Sequence, residues 1–120
     1  MTKVLLIDDD PVEAKLLAAF LRRRFGADEY RLVHAHALDQ GLRALQRDRF
    51  DHVLLDNRLP PFDDYRQTLP IVRMHARGVE PILVSASLMD RCFEELADYG
   101  APRVIDKFRL RERVQGGLLG

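Results

Sequence analysis

The sequence predicts an α/β fold, a parallel sheet with helices on both faces. Three observations predict it. Short apolar runs recur along the chain, of the kind buried on both faces in parallel sheets. Helical patterns separate these runs, so strands and helices alternate. Each strand leads into a polar residue, and in such sheets ligands bind beyond the carboxyl ends of the strands.

The first strand is Lys3 to Ile7. Pro11 suits the first position of the helix that follows, with Asp10 as its N-cap. Val12, Leu16, Ala19, Phe20 and Arg23 follow helical spacing, and Leu17, Leu21 and Phe25 widen the apolar stripe. Arg22, Arg23 and Arg24 in the last turn complement the helix dipole, and Gly26 stops the helix. Tyr30 to Ala35 is the second strand. Asp39 to Arg49 is the second helix, with Leu38, Leu42 and Leu45 on its apolar side. His52 to Leu55 is the third strand, ending at Asp56 and followed by the turn Leu59-Pro60-Pro61. Pro70 interrupts the next stretch, so the third helix is expected from about Pro70 to Arg77 with Thr68 as its cap. Pro81 to Val84 is the fourth strand, ending at Ser85. Ser87, three residues before Asp90, reads as a capping box opening a helix that runs to Tyr99 and closes at Gly100. Val104 and Ile105 form the fifth strand, with Lys107 just beyond. The last helix is expected from Leu110 to about Leu119, with Gly116 and Gly117 inside it.

The 120 residues fit one domain, 1–120, and 47% apolar content supports an ordinary core. The 19 basic and 19 acidic side chains cancel, which argues against a dedicated nucleic-acid or anionic-membrane binder. One cysteine excludes an intrachain disulfide. No targeting or spanning segment is legible, so the cytoplasm is the expected location. The balance hides an asymmetry: 16 Arg against three Lys, and 13 Asp against six Glu.

The punctuation at the strand ends gives that asymmetry a place. Asp8, Asp9 and Asp10 follow the first strand, Asp56 the third, Ser85 the fourth, and Lys107 the fifth. They are expected to converge on one edge of the sheet. Clustered carboxylates repel and call for a cation, and hard oxygen ligands favour magnesium. A carboxylate beside that ion, with a lysine and a hydroxyl nearby, can accept a phosphoryl group as an acyl phosphate.

On these residues the chain resembles the receiver domains of two-component response regulators. The strings are Val4-Leu5-Leu6-Ile7-Asp8-Asp9-Asp10-Pro11, Phe50-Asp51-His52-Val53-Leu54-Leu55-Asp56-Asn57-Arg58-Leu59-Pro60, Pro81-Ile82-Leu83-Val84-Ser85-Ala86 and Lys107-Phe108. Their spacings are 47 residues from Asp9 to Asp56, 29 to Ser85 and 22 to Lys107. The resemblance implies a doubly wound, flavodoxin-like sheet of order 2-1-3-4-5. It implies that Asp56 takes a phosphoryl group from a sensor histidine kinase or histidine phosphotransfer protein. Magnesium would be held by Asp9, Asp56 and the backbone carbonyl of Arg58, with Asp8 acting through water. Ser85 and the Ala86 amide would bond the phosphoryl oxygens, and Lys107 would pair with them.

Several positions depart from that pattern. Val104 stands where the family commonly has an aromatic switch residue. Phe108 stands where proline usually follows the lysine across a cis bond. Asp64 replaces an expected glycine, which together with Pro70 predicts an irregular loop before the third helix. Arg58 and Ser87 occupy positions where the family tunes phosphoryl lifetime, and the Arg58 side chain is expected to lie across the phosphoryl group.

Taken singly, each site residue has an ordinary structural reading. Asp8 to Asp10 can cap the first helix, Asp56 can begin a turn, Ser85 can cap, and Lys107 can be a solvated charge. Cys92 reads as a small side chain on the fourth helix. His34, His36, His52 and His75 show no metal-ligand spacing. Arg109, Arg111 and Arg113 read as a solvated face. The favoured expectation is a stand-alone phosphoacceptor signalling through a downstream partner protein. The alternatives are a phosphorylation-independent binding module of this fold and, on Asp8 and Asp10, a haloacid-dehalogenase-like phosphatase.

Overall fold

The computed structural model describes residues 1–120. Five strands, β1 (Thr2–Ile7), β2 (Tyr30–Ala35), β3 (His52–Asp56), β4 (Ile82–Ser85) and β5 (Val104–Asp106), form one parallel sheet in the order β2-β1-β3-β4-β5. The helices are α1 (Pro11–Phe25), α2 (Leu38–Arg47), α3 (Tyr65–His75) and α4 (Leu110–Gln115). Two 3₁₀ segments, η1 (Arg91–Tyr99) and η2 (Lys107–Arg109), flank β5. No helix is long and apolar enough to cross a membrane.

Alternation along each strand divides the core in two. Val4, Leu6, Leu54, Ile82 and Val84 pack with Leu17 and Leu21 of α1 and Leu110 and Val114 of α4. Leu5, Ile7, Val53, Leu55 and Leu83 pack on the other face with Leu38 and Leu45 of α2, Leu69 and Val72 of α3, and Cys92 of η1. Both faces of the sheet are therefore covered, as continuously apolar strands require.

Register then positions the strand ends. Leu6 lies opposite Leu54 and Ile7 opposite Leu55, so the next step along both strands brings Asp8 beside Asp56. Asp56 lies opposite Val84, and Ser85 opposite Asp106, one residue before Lys107.

The helices differ from the sequence expectation in detail. On α1, Leu17 and Leu21 are the buried residues, whereas Val12 and Leu16 are exposed. Helix α2 begins at Leu38 and ends at Arg47, two residues earlier than Arg49, because the chain turns extended at Asp48. Helix α3 begins at Tyr65, not Pro70, and its cap is Asp64, whose carboxylate accepts from the Arg66 amide at 3.0 Å. Pro70 lies inside the helix on its exposed face and leaves the Arg66 carbonyl without its i+4 donor. Thr68, expected as the cap, is buried within the helix, and its hydroxyl has no partner. Ser87 does not open the fourth helical segment. Asp90 caps η1 by accepting from the Cys92 amide at 3.1 Å, and Ser87 Oγ instead accepts from the Met89 amide. Gly100, with φ at 77°, closes η1 as expected. Helix α4 stops at Gln115, because Gly116 and Gly117 cap it and Gly117 takes φ of 95°. The bond between Lys107 and Phe108 is trans; the cis bond in this chain is Pro60-Pro61.

Candidate phosphoryl-acceptor site

Asp8, Asp9 and Asp56 meet at the carboxyl edge of β1 and β3, with one carboxylate oxygen of each within 4.8 Å of the others. Asp8 and Asp56 are buried and Asp9 is exposed. Asp8 and Asp56 are each held by local backbone. Asp8 Oδ1 accepts from the Asp10 amide at 2.9 Å, which turns the chain into α1. Asp56 Oδ1 accepts from the Arg58 amide at 3.4 Å. His34 Nε2 donates to the Asp8 carbonyl at 2.6 Å, so β2 also fixes this corner.

Lys107 reaches both buried carboxylates, with Nζ 3.1 Å from Asp56 Oδ1 and 3.3 Å from Asp8 Oδ2. Burial, and then the Asp8 charge, push the Asp56 carboxyl up to about 6 against the pull of Lys107. Burial opposes the Lys107 charge, but the two carboxylates outweigh it and raise the ammonium pKa. Glu13, in the first turn of α1, is raised by burial and by Asp8 and Asp10, with Lys107 pulling the other way. One lysine therefore serves a buried group with more negative charge than it can neutralise. The three carboxylates offer hard oxygens at close quarters, and exposed Asp9 leaves a side open to water. This donor set fits a small, hard dication such as magnesium.

Ser85 sits on the same edge, but its hydroxyl donates to the Ser87 carbonyl at 2.9 Å, in a local turn closed by the Ser87 amide. The Arg58 side chain does not lie across Asp56. Its guanidinium donates to the Asp63 carbonyl at 2.7 Å and pairs with the Asp90 carboxylate. Val104 is half-buried on β5, and Phe108 is 82% exposed beside the site. His36, whose ring lies 4.2 Å from that of His34, takes no part in the carboxylate cluster. Cys92 is buried, and burial pushes its thiol up to about 11, so it is an unreactive core residue.

Sequence reasoning passed over Asn57. It is fully buried directly after Asp56, with Oδ1 accepting from the Tyr65 amide at 3.0 Å and Nδ2 directed at Cys92 Sγ at 3.6 Å. Its signal was available: it is an uncharged polar residue next to an apolar run, on the opposite face of the sheet from Asp56.

A doubly wound parallel sheet with clustered carboxylates and one lysine at its carboxyl edge is an α/β domain whose edge could hold a metal ion. The comparisons with known proteins make this specific. The family model for the response regulator receiver domain matches residues 4–115, and the chain belongs to that family. It is 31% identical over 93 residues to the transcriptional regulatory protein GlrR of Escherichia coli (strain K12), a match covering 70% of this chain. It spans about a fifth of that regulator's length, 20%. Among solved structures it resembles the receiver domain of the sensor histidine kinase PA1611 from Pseudomonas aeruginosa PAO1, which holds a magnesium ion in its active site cleft. That likeness has a TM-score of 0.72 and 25% identity, and covers 96% of this chain and 95% of that one. The chemotaxis protein CheY4 of Vibrio cholerae shares the fold, with a TM-score of 0.79 at 21% identity, covering 98% and 96% of the two chains.

Proposed function

We propose that residues 1–120 act as a single phosphoacceptor receiver in a His-to-Asp phosphorelay, with Asp56 as the acceptor and a downstream protein reading its state. The observation that carries this reading is the placement of Lys107 against Asp56 and Asp8, with Asp9 alongside. A carboxylate flanked by one ammonium and by metal-capable oxygens is poised to attack phosphorus.

In the proposed reaction a phosphohistidine of a sensor kinase or phosphotransfer protein is the donor. An Asp56 carboxylate oxygen attacks phosphorus, and the O–P bond forms as the P–N bond breaks. The electron pair of that bond stays on the imidazole nitrogen, which takes a proton from solvent. Lys107 moves its pairing from the Asp56 carboxylate to the developing phosphoryl oxygens, while Asp8 keeps it oriented. Ser85 rotates its hydroxyl from the Ser87 carbonyl to a phosphoryl oxygen, and the Ala86 amide bonds another. Magnesium, held by Asp9, Asp56 and the Arg58 carbonyl with Asp8 acting through water, would supply charge neutralisation on the transferring group. Even with its carboxyl pushed up to about 6, the acceptor is largely ionised at neutral pH and above. Hydrolysis of the acyl phosphate returns the site to its starting state, so the chain is an acceptor with slow turnover and not a dedicated enzyme.

The surroundings suit a protein donor. Val12 and Leu16 of α1 and Phe108 of η2 expose apolar side chains next to the cleft, at 57%, 44% and 82%. Leu16, Phe20 and Phe108 line a groove of about 460 Å³ that also contains Lys107 and Glu13. An apolar face on the donor would bury these groups while its phosphohistidine enters the cleft.

The test is intact mass after incubation with magnesium and a small-molecule phosphodonor. A phosphate-sized gain that is lost in Asp56→Asn supports the acceptor reading. No gain leaves a phosphorylation-independent binding module, and multiple turnover depending on Asp8 indicates a phosphatase.

A further inference from the structure

The two residues after Asp56 both reach the first turn of η1. Asn57 directs its amide at Cys92 Sγ, 3.6 Å away, and accepts from the Tyr65 amide. Tyr65 in turn donates its hydroxyl to the Cys92 carbonyl at 2.7 Å. All three residues are buried, so this contact is a fixed point. Arg58 is different. Its side chain is 60% exposed, and it bridges the Asp63 carbonyl and the carboxylate of Asp90, the residue that caps η1. Asp90 uses its two oxygens on two partners: Oδ1 on the Cys92 amide and Oδ2 on Arg58.

Element η1 is itself unusual. It winds as a 3₁₀ helix over nine residues, whereas runs beyond three or four are uncommon because their hydrogen-bond geometry is poorer. The loop leading into it carries Leu88 and Met89 exposed. It joins the β3–α3 connection through Arg58–Asp90 on the surface and Asn57–Cys92 beneath.

We propose that Arg58–Asp90 is a latch between the acceptor loop and η1, released when Asp56 carries a phosphoryl group. This rests on the reading of Asp56 as the acceptor. A phosphoryl group places close to two negative charges and three acceptor oxygens two residues from Arg58. A guanidinium favours such oxygens bidentately, and Asp90 offers it one oxygen only. Arg58 then leaves Asp90 for the phosphoryl group, and the η1 cap loses its tie to the β3–α3 connection. Asn57–Cys92 remains as the fulcrum about which the first turn of η1 and the Leu88-Met89 loop move. This route needs no aromatic ring at the position of Val104. It also explains why Arg58 is drawn away from the unphosphorylated acceptor.

The test is hydrogen–deuterium exchange of the η1 amides in the full chain, with and without acetyl phosphate and magnesium, with intact mass recorded on the same samples. In the wild type, samples bearing the phosphate-sized gain should exchange roughly two- to fivefold faster across Arg91–Tyr99, the effect of losing one exposed ion pair. Asp90→Asn, which keeps the cap, and Arg58→Gln should both show the faster exchange without phosphate and no further rise with it. Unchanged η1 exchange in phosphorylated wild type overturns the latch while leaving the acceptor intact. Wild-type exchange in both unphosphorylated variants overturns it as well. No mass gain in the wild type removes the acceptor reading, and the latch falls with it.

Discussion

Replacing Asp56 with asparagine should make the metal-free protein more stable at pH 8. Burial and the Asp8 charge raise the Asp56 carboxyl from an ordinary 3.8 to about 6. The folded state therefore holds this proton more tightly than the unfolded chain does. Ionisation costs the fold nothing well below 3.8; the cost grows as pH rises and is complete above about 6. Two pH units at about 1.4 kcal/mol each put that cost near 3 kcal/mol as a ceiling. Asp56→Asn also loses the charge-assisted bond to Lys107 at 3.1 Å, but Lys107 keeps Asp8 at 3.3 Å. The net gain at pH 8 should be about 1–2 kcal/mol. Urea denaturation in the presence of a chelator, run from pH 4 to pH 8, measures it. The wild type should lose stability relative to Asp56→Asn across that range. A variant that is no more stable at pH 8, or a gain that does not vary with pH, would refute the account of this cluster.

Other perturbations probe separate parts of the structure. Asp9 is exposed, so Asp9→Asn should fold normally but lose the magnesium-dependent rise in thermal midpoint. In the wild type that rise should correspond to about 1.4 kcal/mol at a magnesium concentration ten times the dissociation constant. Gly41 of α2 lies against Ile7, where an added Cβ would come within 2.6 Å of Ile7 Cδ1. Gly41→Val should therefore cost about 1–3 kcal/mol in denaturation, and a smaller effect would mean that α2 moves freely on the sheet. Asp64→Ala removes the α3 cap and the Arg66 partner and should cost about 1–2 kcal/mol at neutral pH. The Arg66 hydrogen bond holds the Asp64 carboxyl below the usual range, so this difference should persist through mildly acidic pH and shrink only as Asp64 is protonated. Leu16→Arg should slow phosphoryl transfer from a protein donor by about tenfold while leaving labelling by a small phosphodonor unchanged.

The parts of this fold legible in the sequence are those where one physical signal dominates. Continuously apolar strands ending in Asp8, Asp56 and Ser85 could be read directly, because sheet burial and strand-end polarity leave little choice of residue. The α3 boundary could not be read from Pro70, because a proline on an exposed helix face removes one backbone hydrogen bond without ending the helix. Asp64 three residues before Gln67 is itself a capping signal, which the reading from Pro70 and Thr68 left unused. The Ser87-to-Asp90 spacing misled in the same way: both residues cap, each over its own short turn. For the site, convergence of Asp8, Asp9, Asp56 and Lys107 followed from strand order. The directions taken by Ser85 and Arg58 did not, because a hydroxyl rotor and a long guanidinium choose among several nearby acceptors. The same holds for the contact of Asn57 with Cys92, which joins side chains 35 residues apart.

The most direct test of the account is phosphoryl transfer from a labelled phosphohistidine protein, a histidine phosphotransfer domain or sensor kinase, in magnesium. Label should pass to the wild-type chain, release with hydroxylamine as an acyl phosphate does, and fail to appear on Asp56→Asn. Equal labelling of Asp56→Asn would contradict the assignment of Asp56. So would a wild-type chain that stays unlabelled by every such donor and by small phosphodonors while binding magnesium.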